Sequence, residues 1–226
     1  MTSSRKLTNK QLEFWKPYID LIGYENFTIK RGRHMQMDFV RSKHYVGLDA
    51  STLGKSGEAH RTVAIHRANE YQQLLQRNSL SADDIEFIFV ALVDKAYFDT
   101  ELVFLLTEHN SQLSDEEYWN LVIDIWCRQE FNTAGGRGDN WRAIFNHRAR
   151  PMNLTADLPE SFTAYRAGEE TGFSWTLDET VADWFRQRFE EQFGDVPMHK
   201  RSFNRSDAIF YTNSRNEQEV VILPTN

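Results

Sequence analysis

The sequence predicts an α+β protein, with a mainly helical region over residues 1–155 followed by a small unit of short strands and one helix over 156–226. Three observations carry this. Before Pro151, apolar residues recur at helical spacing behind N-cap signals. After Pro159, short alternating runs are separated by polar turns. Hydrophobic residues make up 40% and aromatics 13% of the 226 residues, which demands a packed core and excludes disorder or a coiled coil.

In chain order, Lys10 to Ile22 reads as a short helix and Glu58 to Arg77 as a longer, more polar one. Ser81 with Asp84 introduces a helix through IEFIFVALVDKAYF. Ser114 and Glu117 form an S-x-x-E capping box, and Tyr118, Leu121, Val122, Ile125 and Trp126 follow on one helical face. The segment NTAGGRGDN, residues 132–140, reads as a loop before a short WRAIFNHR helix. FTAYRA and FSWT read as strands joined by the turn GEETG. LDETVADWFRQRFEE reads as a helix with Val181, Trp184, Phe185 and Phe189 on one face. Asp207 to Tyr211 and Glu219 to Leu223 are strand-like runs flanking the polar loop TNSRNEQ.

Charge and cysteine content narrow the function classes. Residues 156–226 carry 7 Lys/Arg against 13 Asp/Glu, while residues 1–155 carry 19 against 20, so the acidic excess sits in the last third. That disfavours a broad phosphate-neutralising surface, although a local basic groove survives such an average. The single Cys127 closes no intrachain disulfide and builds no cysteine-rich zinc site, which points to a reducing compartment, the cytoplasm by default, and to a small buried role for that residue. No apolar run follows the basic residues of the N-terminus, and no segment approaches the roughly 18 residues needed to span a bilayer, so neither a Sec-type signal nor a membrane partner is expected.

Several motifs carry no chemistry. GGRGD at 135–139 is not entered by a strand and is followed by no G-K-[ST], so it reads as a plain loop. The histidines lack metal-ligand spacing: His60 and His66 are six apart and no H-E-x-x-H occurs, so no metal is expected. What remains is a three-part pattern: Tyr165-Arg166 ending a strand, Phe173-Ser174-Trp175-Thr176 opening into a helix, and Glu217-Gln218-Glu219 entering the last strand. On an extended backbone, Glu217 and Glu219 project to the same side and address one ligand; the alternative is a solvated strand face.

The order YRA, then GFSWT with the amphipathic helix ETVADWF, then RNEQEVVI resembles the Arg, Ser-x-Thr and Glu-x-Glu signature of the R-S-E class of mono-ADP-ribosyltransferases. The resemblance covers about residues 158–226. DIWCRQEF and WRAIFNHR look like the helical lead-in of some bacterial and phage members, and residues 1–110 carry no resemblance. Ala167 stands where many relatives have Gly, a departure at the entry of the cofactor phosphates.

The resemblance implies that NAD is a substrate cleaved through an oxocarbenium-like transition state, with Glu219 as the carboxylate that stabilises the developing charge and holds the ribose 2′-hydroxyl. It implies that Arg166, with Tyr165 beside it, binds NAD phosphate through its planar fork, that Ser174 orients Glu219, and that Thr176 closes the strand or starts the helix. Glu217 becomes the acceptor-side residue, which favours protein arginine, and Asn213 to Asn216 the recognition loop, with Arg215 and Phe210 or Tyr211 as contacts; for those aromatics core packing is the alternative. The implied setting is a cytoplasmic toxin or phage-conflict effector with a neutralising antitoxin. Two rivals stand beside it: a nucleic-acid base as acceptor, bound by Lys200, Arg201, Arg205 and Arg215 with Phe203, Phe210 and Tyr211, and a catalytically idle NAD-binding module.

Overall fold

The computed structural model describes residues 6–31, 37–107, 109, 112–129 and 137–224, and is mixed α and β throughout. The chain divides into two compact units, Met1–Glu130 and Phe131–Asn226. Among the described residues no helix is long and apolar enough to cross a membrane.

In the first unit, helix α1 (Asn9–Ile22) starts at a capping box in which Thr8 and Gln11 satisfy each other's backbone N–H groups. Three short antiparallel strands follow, β1 (Thr28–Arg31), β2 (Asp38–Ser42) and β3 (Tyr45–Leu48), in the order β1-β2-β3. The sequence reading, mainly helical over residues 1–155, assigns no element between Ile22 and Glu58. Helix α2 (Lys55–Leu75) turns small residues inward, Gly57, Ala64 and Ala68, which lets it approach the rest of the unit closely. A Cβ on Gly57 would stand 2.0 Å from the Ala50 carbonyl oxygen. Trp15, Tyr18, Phe27, Ile29, Val40 and Tyr45 form the core with these alanines. Buried Asp49 accepts from Trp15 Nε1 at 2.8 Å, Gln11 Nε2 at 2.7 Å and Ser51 Oγ at 2.8 Å, so its charge is fully hydrogen-bonded.

The helix expected through IEFIFVALVDKAYF is broken. It begins as α3 (Ala82–Phe87), loosens into a π-helical turn at Ile88–Leu92, and restarts after a 3₁₀ turn at Lys95–Tyr97 as α4 (Phe98–Thr107). The break has a local cause: the Asp94 side chain accepts from Ala96 N–H while its own N–H donates to the Lys43 carbonyl, so the backbone finds non-helical partners. Helix α5 (Asp115–Arg128) has the Ser114–Glu117 capping box and buries Tyr118, Val122, Ile125 and Trp126, with Leu121 half-buried. Cys127 on α5 is half-buried rather than buried.

The second unit opens with helix α6 (Arg137–His147). The loop expected at 132–140 therefore ends earlier, since Arg137 to Asn140 are helical; residues 132–136 lie outside the described residues. A five-stranded antiparallel sheet follows, ordered β6-β4-β5-β8-β7. Its strands are β4 (Ser161–Ala167), β5 (Ser174–Thr176), β6 (Met198–Asn204), β7 (Ala208–Thr212) and β8 (Glu219–Ile222). Helix α7 (Glu179–Phe193) links β5 to β6 and packs on β4, β5 and β6. One face of the sheet holds the core, Phe162, Ala164, Trp175, Phe203, Val220 and Ile222. Phe210, cross-strand to Val221 and so on the opposite face, meets Phe145 of α6 edge-on at 6.0 Å.

Helix α7 departs from its expected burial. Ala182 is its fully buried residue, while Trp184 is 54% and Phe193 70% exposed. Its aromatics contact one another along the helix, Phe185 with Phe189 and Phe189 with Phe193, at the i,i+4 spacing of neighbours on a helix surface.

Candidate functional site

The sheet register builds the site. Lys200 on β6, Tyr165 on β4, Thr176 on β5, Glu219 on β8 and Thr212 on β7 are successive cross-strand partners, so five polar-headed side chains lie abreast on one face. Ser174, two residues before Thr176, projects to that same face. The Ser174 hydroxyl donates to Glu219 Oε1 at 2.5 Å. Glu219 is 4% exposed, so this hydrogen bond fixes a carboxylate that little solvent reaches.

Thr176 works through the backbone. Its hydroxyl donates to the Glu217 carbonyl at 2.6 Å and accepts from Asp178 N–H at 3.0 Å, tying the loop before β8 to the start of α7. Asp178, not Thr176, is the N-cap of α7, accepting from Thr180 N–H at 2.8 Å.

Glu217 and Glu219 do converge, but not because the backbone is extended. Strand β8 begins at Glu219, and Gln218 has φ of 45° with Asn216 at 57°, two non-glycine residues in the left-handed region around Glu217. Gln218 N–H donates to Asn213 Oδ1 at 3.0 Å, which holds this curled loop. Arg215 completes the convergence: its Nη2 stands 2.8 Å from Glu217 Oε2 and 3.4 Å from Glu219 Oε2. Burial pushes the Glu217 carboxyl above its ordinary pKa and the Glu219 charge adds to this, while Arg215 and Arg188 of α7 oppose the shift.

Arg166 is placed differently from the expectation that its fork takes a phosphate. Its Nε donates to the Glu169 carbonyl at 2.6 Å and its Nη1 to the Ser174 carbonyl at 2.5 Å, so two of its donors clamp the loop between β4 and β5. Gly172 packs against the guanidinium, where a Cβ would fall 1.8 Å from Nη2. Burial lowers the guanidinium pKa, against the opposing pull of Glu169 and Glu219. The loop conformation that presents Ser174 therefore depends on Arg166.

Tyr165 carries Lys200 Nζ 5.1 Å above its ring. Tyr211 is not brought to the carboxylates: it is the cross-strand partner of Val220 and packs against the core on the other face. Phe210, at 0% exposure, and Phe203, at 9%, are core residues, so neither is available to stack on a base, whereas Lys200, Arg201 and Arg205 lie along β6 and the turn after it. A cavity of about 370 Å³ lined by Trp175, Phe203, Arg201 and Ile222 includes neither Ser174 nor Glu219.

Two residues of the site carry no sequence signal strong enough to single them out. Gly172 is one glycine among 11. Arg188 shows itself only as a cation four residues after Trp184, whose ring it covers at 5.5 Å. Among the described residues no group of three or more His, Cys, Asp or Glu is arranged to hold a metal ion. No protein-family model matches the chain, and no curated protein or solved structure is significantly similar to it.

Proposed function

We propose that the second unit is a mono-ADP-ribosyltransferase that moves ADP-ribose from NAD to a macromolecular acceptor, with protein arginine as the favoured acceptor. The observation that carries this is the buried Glu219 carboxylate held by the Ser174 hydroxyl at 2.5 Å, with Glu217 joined to it through one guanidinium nitrogen. A fixed anion in a little-solvated position stabilises a positive charge developing nearby far better than a solvated one does. Glu219 is thus suited to the ribose carbon as its bond to nicotinamide breaks. The pair electrons leave with neutral nicotinamide, and the acceptor nitrogen forms the new bond.

Glu217 sits outside Glu219, more exposed, with a raised pKa that suits acceptance of the acceptor's proton. Ser174 orients, Arg166 clamps the loop that carries Ser174 and adds positive charge for NAD phosphates, Tyr165 and Thr176 extend the polar row beneath the dinucleotide, and no step calls for a metal. A reducing compartment such as the cytoplasm fits a chain with one cysteine, and a toxin or phage-conflict effector restrained by an antitoxin is the setting that such an activity suits.

A nucleic-acid base is the second acceptor, favoured by the cations Lys200, Arg201 and Arg205 along the edge of the sheet. Biotinylated NAD incubated with the protein and a cell lysate, then divided between protease and nuclease, separates the two. Label lost to protease supports a protein acceptor, label lost to nuclease supports a base, and no nicotinamide release with any acceptor leaves an idle NAD-binding module.

A further inference from the structure

Arg215 occupies an unusual position for a residue of a recognition loop. Its Nη2 lies between the two carboxylates, 2.8 Å from Glu217 and 3.4 Å from Glu219, and so holds the place where an incoming cation would be drawn. Two carboxylates that share a half-desolvated site repel each other unless a cation stands between them. The chain meets that need from within, through a residue only four positions before Glu219.

The contact is built to be reversible. The Arg215 side chain is 42% exposed and Glu217 24%, and ion pairs with so exposed a member are held weakly. Arg215 also sits on the turn between β7 and β8, closed by Asn216 N–H donating to the Asn213 carbonyl at 3.0 Å, a bond in which the Arg215 side chain takes no part. Each carboxylate also has a partner besides Arg215: Ser174 donates to Glu219, and the positive charge of Arg188 on α7 acts on Glu217.

We propose that Arg215 is an internal guanidinium that fills the acceptor's seat at rest and must vacate it before an external guanidinium binds between Glu217 and Glu219. This rests on the acceptor-side role given to Glu217 above. The site then takes a planar cation that donates from adjacent nitrogens to both carboxylates, and Arg215 restrains it by competition. A seat filled internally nine-tenths of the time weakens external binding about tenfold.

Calorimetric titration of the full chain with agmatine, a small guanidino compound, tests this without relying on turnover. Arg215→Ala and Arg215→Gln are each expected to bind agmatine about tenfold more tightly than the unaltered protein, and adding Glu217→Gln to either is expected to remove the gain. Two variants guard against one that fails to fold, which thermal unfolding reports. Binding no tighter in either variant, or a gain that survives Glu217→Gln, overturns the proposal. Nicotinamide release from NAD by the same preparations judges the transferase reading separately: tighter agmatine binding without any release keeps the internal competitor and removes the transferase.

Discussion

Replacing Gly172 by alanine is the sharpest test of how the loop before β5 is held. Gly172 does not lie in the left-handed region, so Gly→Ala there would ordinarily stabilise the fold by about 0.4–1 kcal/mol through the unfolded chain. The new Cβ would instead stand 1.8 Å from Arg166 Nη2, 2.0 Å from Cζ and 2.4 Å from Nε. A guanidinium is the free end of a flexible side chain and can move, but moving it breaks the bonds to the Glu169 and Ser174 carbonyls. Charge-assisted hydrogen bonds contribute about 1.5–3 kcal/mol each, and partial rehydration of the half-buried guanidinium returns part of that. The expected net loss is about 1–2 kcal/mol, read by urea unfolding followed through amide exchange of β4 and β5. In an Arg166→Met background the same alanine meets no fixed guanidinium and is expected to be neutral or stabilising. Equal effects in the two backgrounds, or stabilisation in the unaltered protein, would refute the clamp.

Three further outcomes follow from the geometry. Ser174→Ala removes the hydroxyl that orients Glu219 but not its charge, so nicotinamide release is expected to fall about 10-fold to 100-fold, less than on loss of Glu219; an equal loss would contradict an orienting role. Burial holds His44 at about 4 against its ordinary 6.5, with its Nδ1 2.8 Å from the Leu92 carbonyl. A histidine with a lowered pKa contributes stability above about pH 6.5 that is lost as pH falls toward 4, here about 3 kcal/mol. Amide exchange in the first unit at pH 7 and pH 4 checks this, and His44→Gln should flatten the slope; an unchanged slope would clear His44. The Glu217 pKa is raised, so transfer to the acceptor is expected to decline at a higher pH than an ordinary carboxylate allows, while nicotinamide release to water does not follow it. Parallel pH profiles for the two products would remove the proton-accepting role.

The starts of α3 and α5 were legible because local chemistry decides a capping box, whereas the course of α3 beyond its first turns was not. Ser114 with Glu117 and Ser81 with Asp84 show the reciprocal bonds, and the face of α5 is buried as its spacing implies. Strands β1 to β3 were not legible: TIKR and DFVRS are short and mix charges with apolar residues, and their pairing depends on Trp15 and Phe27, packed from outside the strands. The edge strand β6 was hidden for a related reason, since MHKRSFN carries the charges that keep an edge from pairing further. In the site, the family resemblance implied that Ser174 orients Glu219 from a neighbouring strand, and the register pairs Ser174 of β5 with Val221 of β8, two residues from Glu219. The curl at Gln218, the Arg215 bridge and the turning of the Arg166 fork toward carbonyls are tertiary facts, set by hydrogen bonds that no spacing encodes.

The two glutamates test the transferase reading most directly, because their roles separate bond cleavage from transfer. Glu219→Gln keeps the size and hydrogen bonding of the side chain and removes its charge, and loss of one such electrostatic contact lowers rate about 100-fold to 1,000-fold. Free nicotinamide and labelled acceptor are measured in the same reactions. Glu219→Gln is expected to lose both products, while Glu217→Gln loses label on protein arginine and retains slow nicotinamide release. Loss of nicotinamide release in Glu217→Gln as complete as in Glu219→Gln would contradict the division between them. Unchanged transfer in Glu217→Gln would contradict arginine as the acceptor.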